Sequence, residues 1–171
     1  MTLAEVNASD RDRFIAMLGW VFEHSPWVAE RAWVHRPFAS VDALHRALVD
    51  EVSAARPEEQ LALLRAHPDL GTRARMSTAS TGEQAGAGLD NLTAVEFARL
   101  QRLTSAYRDR FGFPFLFAVK GSTKDEILEA LDARLSAPPD MELAEALRQV
   151  FRIAGFRLEE LVHWPGTSSL R

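Results

Sequence analysis

Phe111-Gly112-Phe113-Pro114-Phe115-Leu116-Phe117-Ala118-Val119 is the stretch that decides the fold class. Its aromatics at 111, 113, 115 and 117 alternate as in a β-strand, and Pro114 forbids a helix through it. No other part of the sequence reads as strand, so residues 113–119 have nothing to pair with. An isolated strand is marginal in water. The expectation is an extended core segment inside an all-α protein.

Helical signals surround this segment. Residues 10–24 carry Phe14, Met17, Leu18, Val21 and Phe22 at three- and four-residue spacing, with Ser9 placed to cap them. Pro26 opens a second helix through Val34, which Pro37 ends. Ser40 caps a third, striped by Val41, Leu44, Leu48 and Val52. Pro57-Glu58-Glu59 opens a fourth, its acids at the positive end of the helix dipole and Leu61 and Leu64 inward. Thr93-Ala94-Val95-Glu96 and Thr123-Lys124-Asp125-Glu126 both read as capping boxes. They start helices running to about residues 110 and 135. Pro138-Pro139-Asp140 breaks the chain before a last helix to about residue 163. With no repeat, low-complexity tract or linker, residues 1–171 read as one domain, a helical bundle of about seven to nine helices.

Composition narrows the function classes. A 47% hydrophobic and 26% charged chain is not a disordered one. A formal charge of −4, a pI near 5.7 and the lack of a basic block exclude broad nucleic-acid binding. The chain has no cysteine, which excludes disulfides, thiolate metal ligands and a cysteine nucleophile. The first residues do not resemble a secretory signal, and no apolar run is long enough for a membrane span. Ser169-Leu170-Arg171 differs from a Ser-Lys-Leu peroxisomal address. The expected location is the cytoplasm, with no membrane partner.

Candidate site residues lie mainly between 66 and 121. Pro68 pushes His67 out of the α region, so a helix is expected to stop near Ala66 with His67 extended at its end. There the imidazole either caps carbonyls or exchanges a proton near neutral pH. His24, His35, His45 and His163 show no ligand spacing with His67, so no metal site is expected. Residues 68–82 form the longest poorly helical run, and loops of that length are usually functional or disordered.

In Ser80-Thr81-Gly82-Glu83-Gln84, Ser80 with Glu83 or Thr81 with Gln84 fits a capping box. Both frames fit at once, which leaves one polar partner surplus to capping. Ala85-Gly86-Ala87-Gly88 then permits close approach by a ligand or a neighbouring element. In residues 113–119 the buried main chain must place its N–H and C=O groups somewhere. A planar heterocycle with imide-like donors and acceptors is one fitting partner, and the residues around it are Phe115, Leu116, Phe117, Ala118 and Val119. Lys120 reads as solvated or as an anion contact.

The last helix offers one more candidate. Leu143, Leu147, Val150, Phe151, Ala154, Leu158 and Leu161 are expected on its core face. At about 100° per residue Arg157 projects roughly 20° from Val150, at the edge of that face, while Arg152 points away. An inward arginine needs an anionic partner, either an internal carboxylate or a ligand.

Taken together, these motifs resemble the 2-oxo-4-hydroxy-4-carboxy-5-ureidoimidazoline (OHCU) decarboxylases of the route from urate to allantoin. The resemblance runs from Phe22-Glu23-His24-Ser25-Pro26-Trp27-Val28 to Arg157-Leu158. It rests on His67-Pro68-Asp69-Leu70, then Ser80-Thr81-Gly82-Glu83-Gln84-Ala85-Gly86-Ala87-Gly88-Leu89, then Phe111-Gly112-Phe113-Pro114-Phe115, in that order. It implies an all-α, cofactor-free, homodimeric carboxy-lyase that turns OHCU into S-allantoin. By matching position, it implies that His67 is catalytic and Glu83 its acidic companion. Pro68, Ser80, Thr81, Gly82, Gln84 and residues 115–119 correspond to ring-binding walls, and Arg157 to the anion contact. Thr104 departs from the asparagine common in the family, outside the site motifs. Trp27 and Trp33 are candidates for a dimer surface. Two other functions share the same motifs: a helical module that binds ureide rings without chemistry, and a hydrolase of cyclic ureides.

Overall fold

The computed structural model describes residues 1–70, 89 and 92–163. Among these residues there are eight α-helices, one 3-10 turn and no sheet. The all-α expectation holds, and residues 113–119 are extended without strand pairing. In chain order the helices are α1 (Leu3–Ala8), α2 (Arg11–Leu18), α3 (Trp27–Ala32), α4 (Val41–Ser53) and α5 (Pro57–Ala66), then α6 (Ala94–Phe111), α7 (Lys124–Arg134) and α8 (Pro139–Leu161). The 3-10 turn, Trp33–His35, follows α3.

The capping chemistry read from the sequence is largely observed. Ser40 Oγ accepts from the Ala43 N–H to start α4. Thr93 with Glu96 and Thr123 with Glu126 form reciprocal capping boxes on α6 and α7. Gly112 ends α6 at φ 76°, a left-handed conformation that glycine adopts without strain, and its N–H donates to the Arg108 carbonyl.

Three expectations are corrected. The helix expected over 10–24 ends at Leu18, and Asp10, not Ser9, caps it by accepting from the Arg13 N–H. Ser9 instead closes α1, donating its hydroxyl to the Val6 carbonyl. Gly19 caps the helix, its N–H donating to the Ile15 carbonyl, and an added Cβ there would lie 2.6 Å from that oxygen, so the position requires glycine. Second, α5 buries Leu63 and Leu64, while Leu61 is only half-buried. Third, the buried face of α8 is rotated from the expected stripe. It carries Glu142, Ala146, Gln149, Val150, Ile153, Ala154, Arg157 and Leu158, whereas Leu143, Leu147, Phe151 and Leu161 are half-buried. Projected at about 100° per residue, Arg157 sits near the middle of that face instead of at its edge.

The packing separates into two compact units. In the first (Met1–Leu63 with Phe151–Arg171), α3 packs on α2 and α4 over Phe14, Leu18, Phe22, Val28, Leu44 and Leu48. The Asn7 side chain binds both main-chain groups of Phe38, at 2.8 and 2.9 Å, and so fixes the turn before α4. Trp27 and Trp33 are half-buried, each covered by a guanidinium: Arg31 at 4.5 Å and Arg36 at 4.2 Å from the ring centroid. In the second unit (Leu64–Val150), α6 packs on α7 over a core of Leu100, Tyr107, Phe115, Ile127, Leu131 and Val150. Thr104 is buried here and donates its hydroxyl to the Leu100 carbonyl at 2.8 Å, so the departure at this position is absorbed within α6.

Candidate active site

α5 stops where the His-Pro pair requires. His67 N–H closes the last turn on the Leu64 carbonyl at 3.3 Å, and Pro68 prevents another turn. The His67 side chain is buried, at 6% exposure, so it is not a solvated helix-end imidazole. Leu70 is also buried beyond it. Two polar contacts flank this turn. Arg65 Nε donates to the Gly112 carbonyl at 2.9 Å, and Asp69 Oδ2 lies 3.1 Å from Arg108 Nη2. Burial pushes the Asp69 carboxyl above its ordinary value, and the Arg108 guanidinium pulls against that shift. Ser80, Thr81, Gly82, Glu83 and Gln84 lie outside the described residues.

In residues 115–119, side chains from two helices take up part of the main-chain hydrogen bonding. Arg134 of α7 donates from Nη1 to the Leu116 carbonyl at 2.7 Å. Gln149 of α8 accepts from the Ala118 N–H at 2.9 Å, and the Val119 carbonyl accepts from the Ser122 N–H at 2.9 Å. Among the described residues, the N–H groups of Phe117 and Val119 make no hydrogen bond. Phe115, Leu116, Ala118 and Val119 are buried and Phe117 half-buried, with the rings of Phe115 and Phe117 stacked at 6.0 Å. Lys120 is exposed.

Arg134 is itself held by Glu142, whose carboxylate is 1% exposed. Glu142 Oε1 accepts from Arg134 Nε at 2.7 Å and from the Tyr107 hydroxyl. Burial, then the bond to Glu142, raises the Tyr107 phenol well above its ordinary range, so it stays protonated and donates. The guanidinium also lies over the Phe115 ring, 4.5 Å from its centroid. Reading the sequence by apolar periodicity missed this set. The sequence carries no local signal for it: Glu142 and Gln149, seven residues apart on one face of α8, are buried only because of partners elsewhere in the chain.

Arg157 faces inward as expected, at 3% exposure. Of the two partners left open for it, the structure shows the internal one: Nη2 lies 3.1 Å from Glu23 Oε2, and Nη1 donates to the Val21 carbonyl at 3.1 Å. Arg152 is exposed, as expected. Among the described residues, no three His, Asp or Glu side chains gather as a metal-holding group. A groove of about 620 Å³ in the first unit is lined by α4 and the turn before it, and holds none of the candidate residues.

The family model described as OHCU decarboxylase matches residues 7–159. The chain is 49% identical to the 2-oxo-4-hydroxy-4-carboxy-5-ureidoimidazoline decarboxylase of Haloferax volcanii, over 94% of this chain and 95% of the relative. It is 43% identical to the uric acid degradation bifunctional protein PucL of Bacillus subtilis, over 99% of this chain and 34% of that protein. Among solved structures it is similar to an (S)-allantoin synthase, with TM-score 0.77 and 31% identity, over 95% of this chain and 54% of that one.

Proposed function

The chain belongs to the OHCU decarboxylase family, and from that premise we propose how its own residues carry the reaction. The enzyme is a carboxy-lyase that removes CO2 from OHCU in urate degradation. Breaking the bond to the carboxylate leaves an electron pair on the ring carbon, and the conjugated ring of the substrate can delocalise it. The protein then has two tasks: to hold the ring with its carboxylate correctly oriented, and to add one proton to a chosen face.

His67 takes the second task. Its imidazole is buried at a helix end, and histidine is the side chain suited to taking up and giving back a proton. Glu83 is its acidic companion, and Pro68, Ser80, Thr81, Gly82 and Gln84 form ring-binding walls; these assignments rest on position within the family motif. Residues 115–119 form a further wall. What supports this is that the main chain there is extended with mostly buried side chains, and that the Phe117 and Val119 N–H groups make no hydrogen bond among the described residues. Arg157 supplies the anion contact, with Glu23 holding its guanidinium in one orientation. The product is S-allantoin. The enzyme acts as a homodimer in the cytoplasm without a resident cofactor. Among the described residues, no helix is long and apolar enough to cross a membrane.

The observation that carries this reading is the family match across residues 7–159, with His67 buried at the α5 terminus. The test supplies OHCU freshly made from urate and follows CO2 release together with circular dichroism of the product. Rapid CO2 release with S-allantoin formed in excess is the expected result. Ring binding without CO2 would indicate a non-catalytic module, and a ring-opened product a hydrolase. Light scattering checks the dimer.

A further inference from the structure

Two contacts flank His67 at equal spacing. Two residues before it, Arg65 is bound to the Gly112 carbonyl; two residues after it, Asp69 is paired with Arg108. Both partners belong to the last turn of α6 and its left-handed cap, from which the 113–119 segment departs. The turn that carries His67 is thus tied on both sides to the element that launches residues 115–119.

The Asp69 tie contributes little to folding. Arg108 is half exposed, and such a pair gains little in water. The other carboxylate oxygen, Oδ1, is buried without a hydrogen-bond partner among the described residues, and an unsatisfied buried acceptor opposes folding. Burial also disfavours the charged form of this carboxyl. Groups that cost stability in this way are characteristic of functional sites, where local rules give way to the task.

We propose that Asp69 and Arg108 are a positioning pair that fixes the chain after His67 and so aims the imidazole across the ring wall at residues 115–119. The proposal rests on the reading of His67 as the catalytic residue. The pair touches neither substrate nor proton. It acts by keeping His67 within the narrow range of geometry that proton delivery requires.

The test uses the full-length protein and OHCU made in situ. The variants are Asp69→Asn, Arg108→Gln, their double combination and Arg108→Lys, with His67→Asn as reference. Each single variant is expected to lose about ten- to hundredfold in kcat with KM within roughly twofold. The excess of S-allantoin falls as well, because an intermediate that escapes His67 is protonated by water on either face. The double variant is no worse than the singles, Arg108→Lys recovers much of kcat, and the melting temperature of Asp69→Asn is unchanged or higher. A kcat loss that follows a falling melting temperature, a change in KM alone, or unaltered kcat and product chirality in the singles would each overturn the proposal. If His67→Asn itself keeps turning over, the reading of His67 as catalytic fails. If His67→Asn is inactive while Asp69→Asn is fully active, only the positioning role fails.

Discussion

Two parts of the Leu64–Val150 unit treat buried charge in opposite ways. Behind residues 115–119, Glu142 accepts from both Arg134 and Tyr107, Arg134 also reaches the Leu116 carbonyl, and Gln149 takes the Ala118 N–H. Beside His67, Asp69 satisfies one oxygen with a half-exposed arginine and leaves the other buried without a partner. The first arrangement holds a stretch of irregular main chain in the core, where unpaired peptide groups would be costly. The second holds very little in place for folding. The contrast separates residues that build the wall from residues that aim the chemistry, and it predicts different readouts for each.

The largest stability effect is expected behind the wall. Glu142→Ala leaves the half-buried Arg134 guanidinium without its anion and the buried Tyr107 hydroxyl without its acceptor, and is expected to cost about 3–5 kcal/mol, read as a lower midpoint in urea unfolding. Gln149→Leu keeps the volume and strands one N–H, for about 1–3 kcal/mol in the same experiment. If either variant leaves stability intact while lowering kcat, the wall is not the structural partner in this comparison.

Asp69→Asn sharpens the other side through pH. The folded carboxyl has a raised pKa, so its proton is held more tightly in the folded chain than in the unfolded one. Its stabilising contribution is therefore complete below the ordinary aspartate value and lost as pH rises through the folded value. The variant is expected to match wild type in acid and to be at least as stable at neutral pH, checked by thermal melts across pH. The smallest effect belongs to Glu59, on the surface. Its carboxyl is lowered to about 2, first by the Arg31 hydrogen bond and then by the Arg56 N–H. That stabilisation is complete above the ordinary glutamate value and lost as pH falls toward 2. Glu59→Gln is therefore expected to flatten the acid limb slightly.

Local chemistry was the most legible part of the sequence. Ser40, Thr93 and Thr123 cap the helices they were expected to cap, because capping depends on residues within one turn. The break at His67-Pro68 and the inward turn of Arg157 are equally short-range. The end of α2 at Leu18 was not legible, since the apolar spacing continues unbroken through Phe22. The rotated face of α8 was missed for a different reason. Periodicity assigns Glu142 and Gln149 outward, and only their partners on α6, α7 and residues 115–119 make it favourable to bury them. Residue types singled out His67, the 115–119 segment and Arg157 as candidates, and their burial agrees with that, while their proposed roles rest on the family motif. Arg134, Glu142 and Gln149 act through distant contacts that no local pattern encodes.

The central claim is that a buried His67 governs decarboxylation of OHCU. Its most direct test is the initial rate and chirality of allantoin formation by wild type and His67→Asn, at equal concentrations of folded protein. The account predicts rapid S-allantoin formation by wild type, and for the variant a loss of about a hundredfold or more, down to the slow racemic background. A folded His67→Asn protein that makes S-allantoin at the wild-type rate would contradict it.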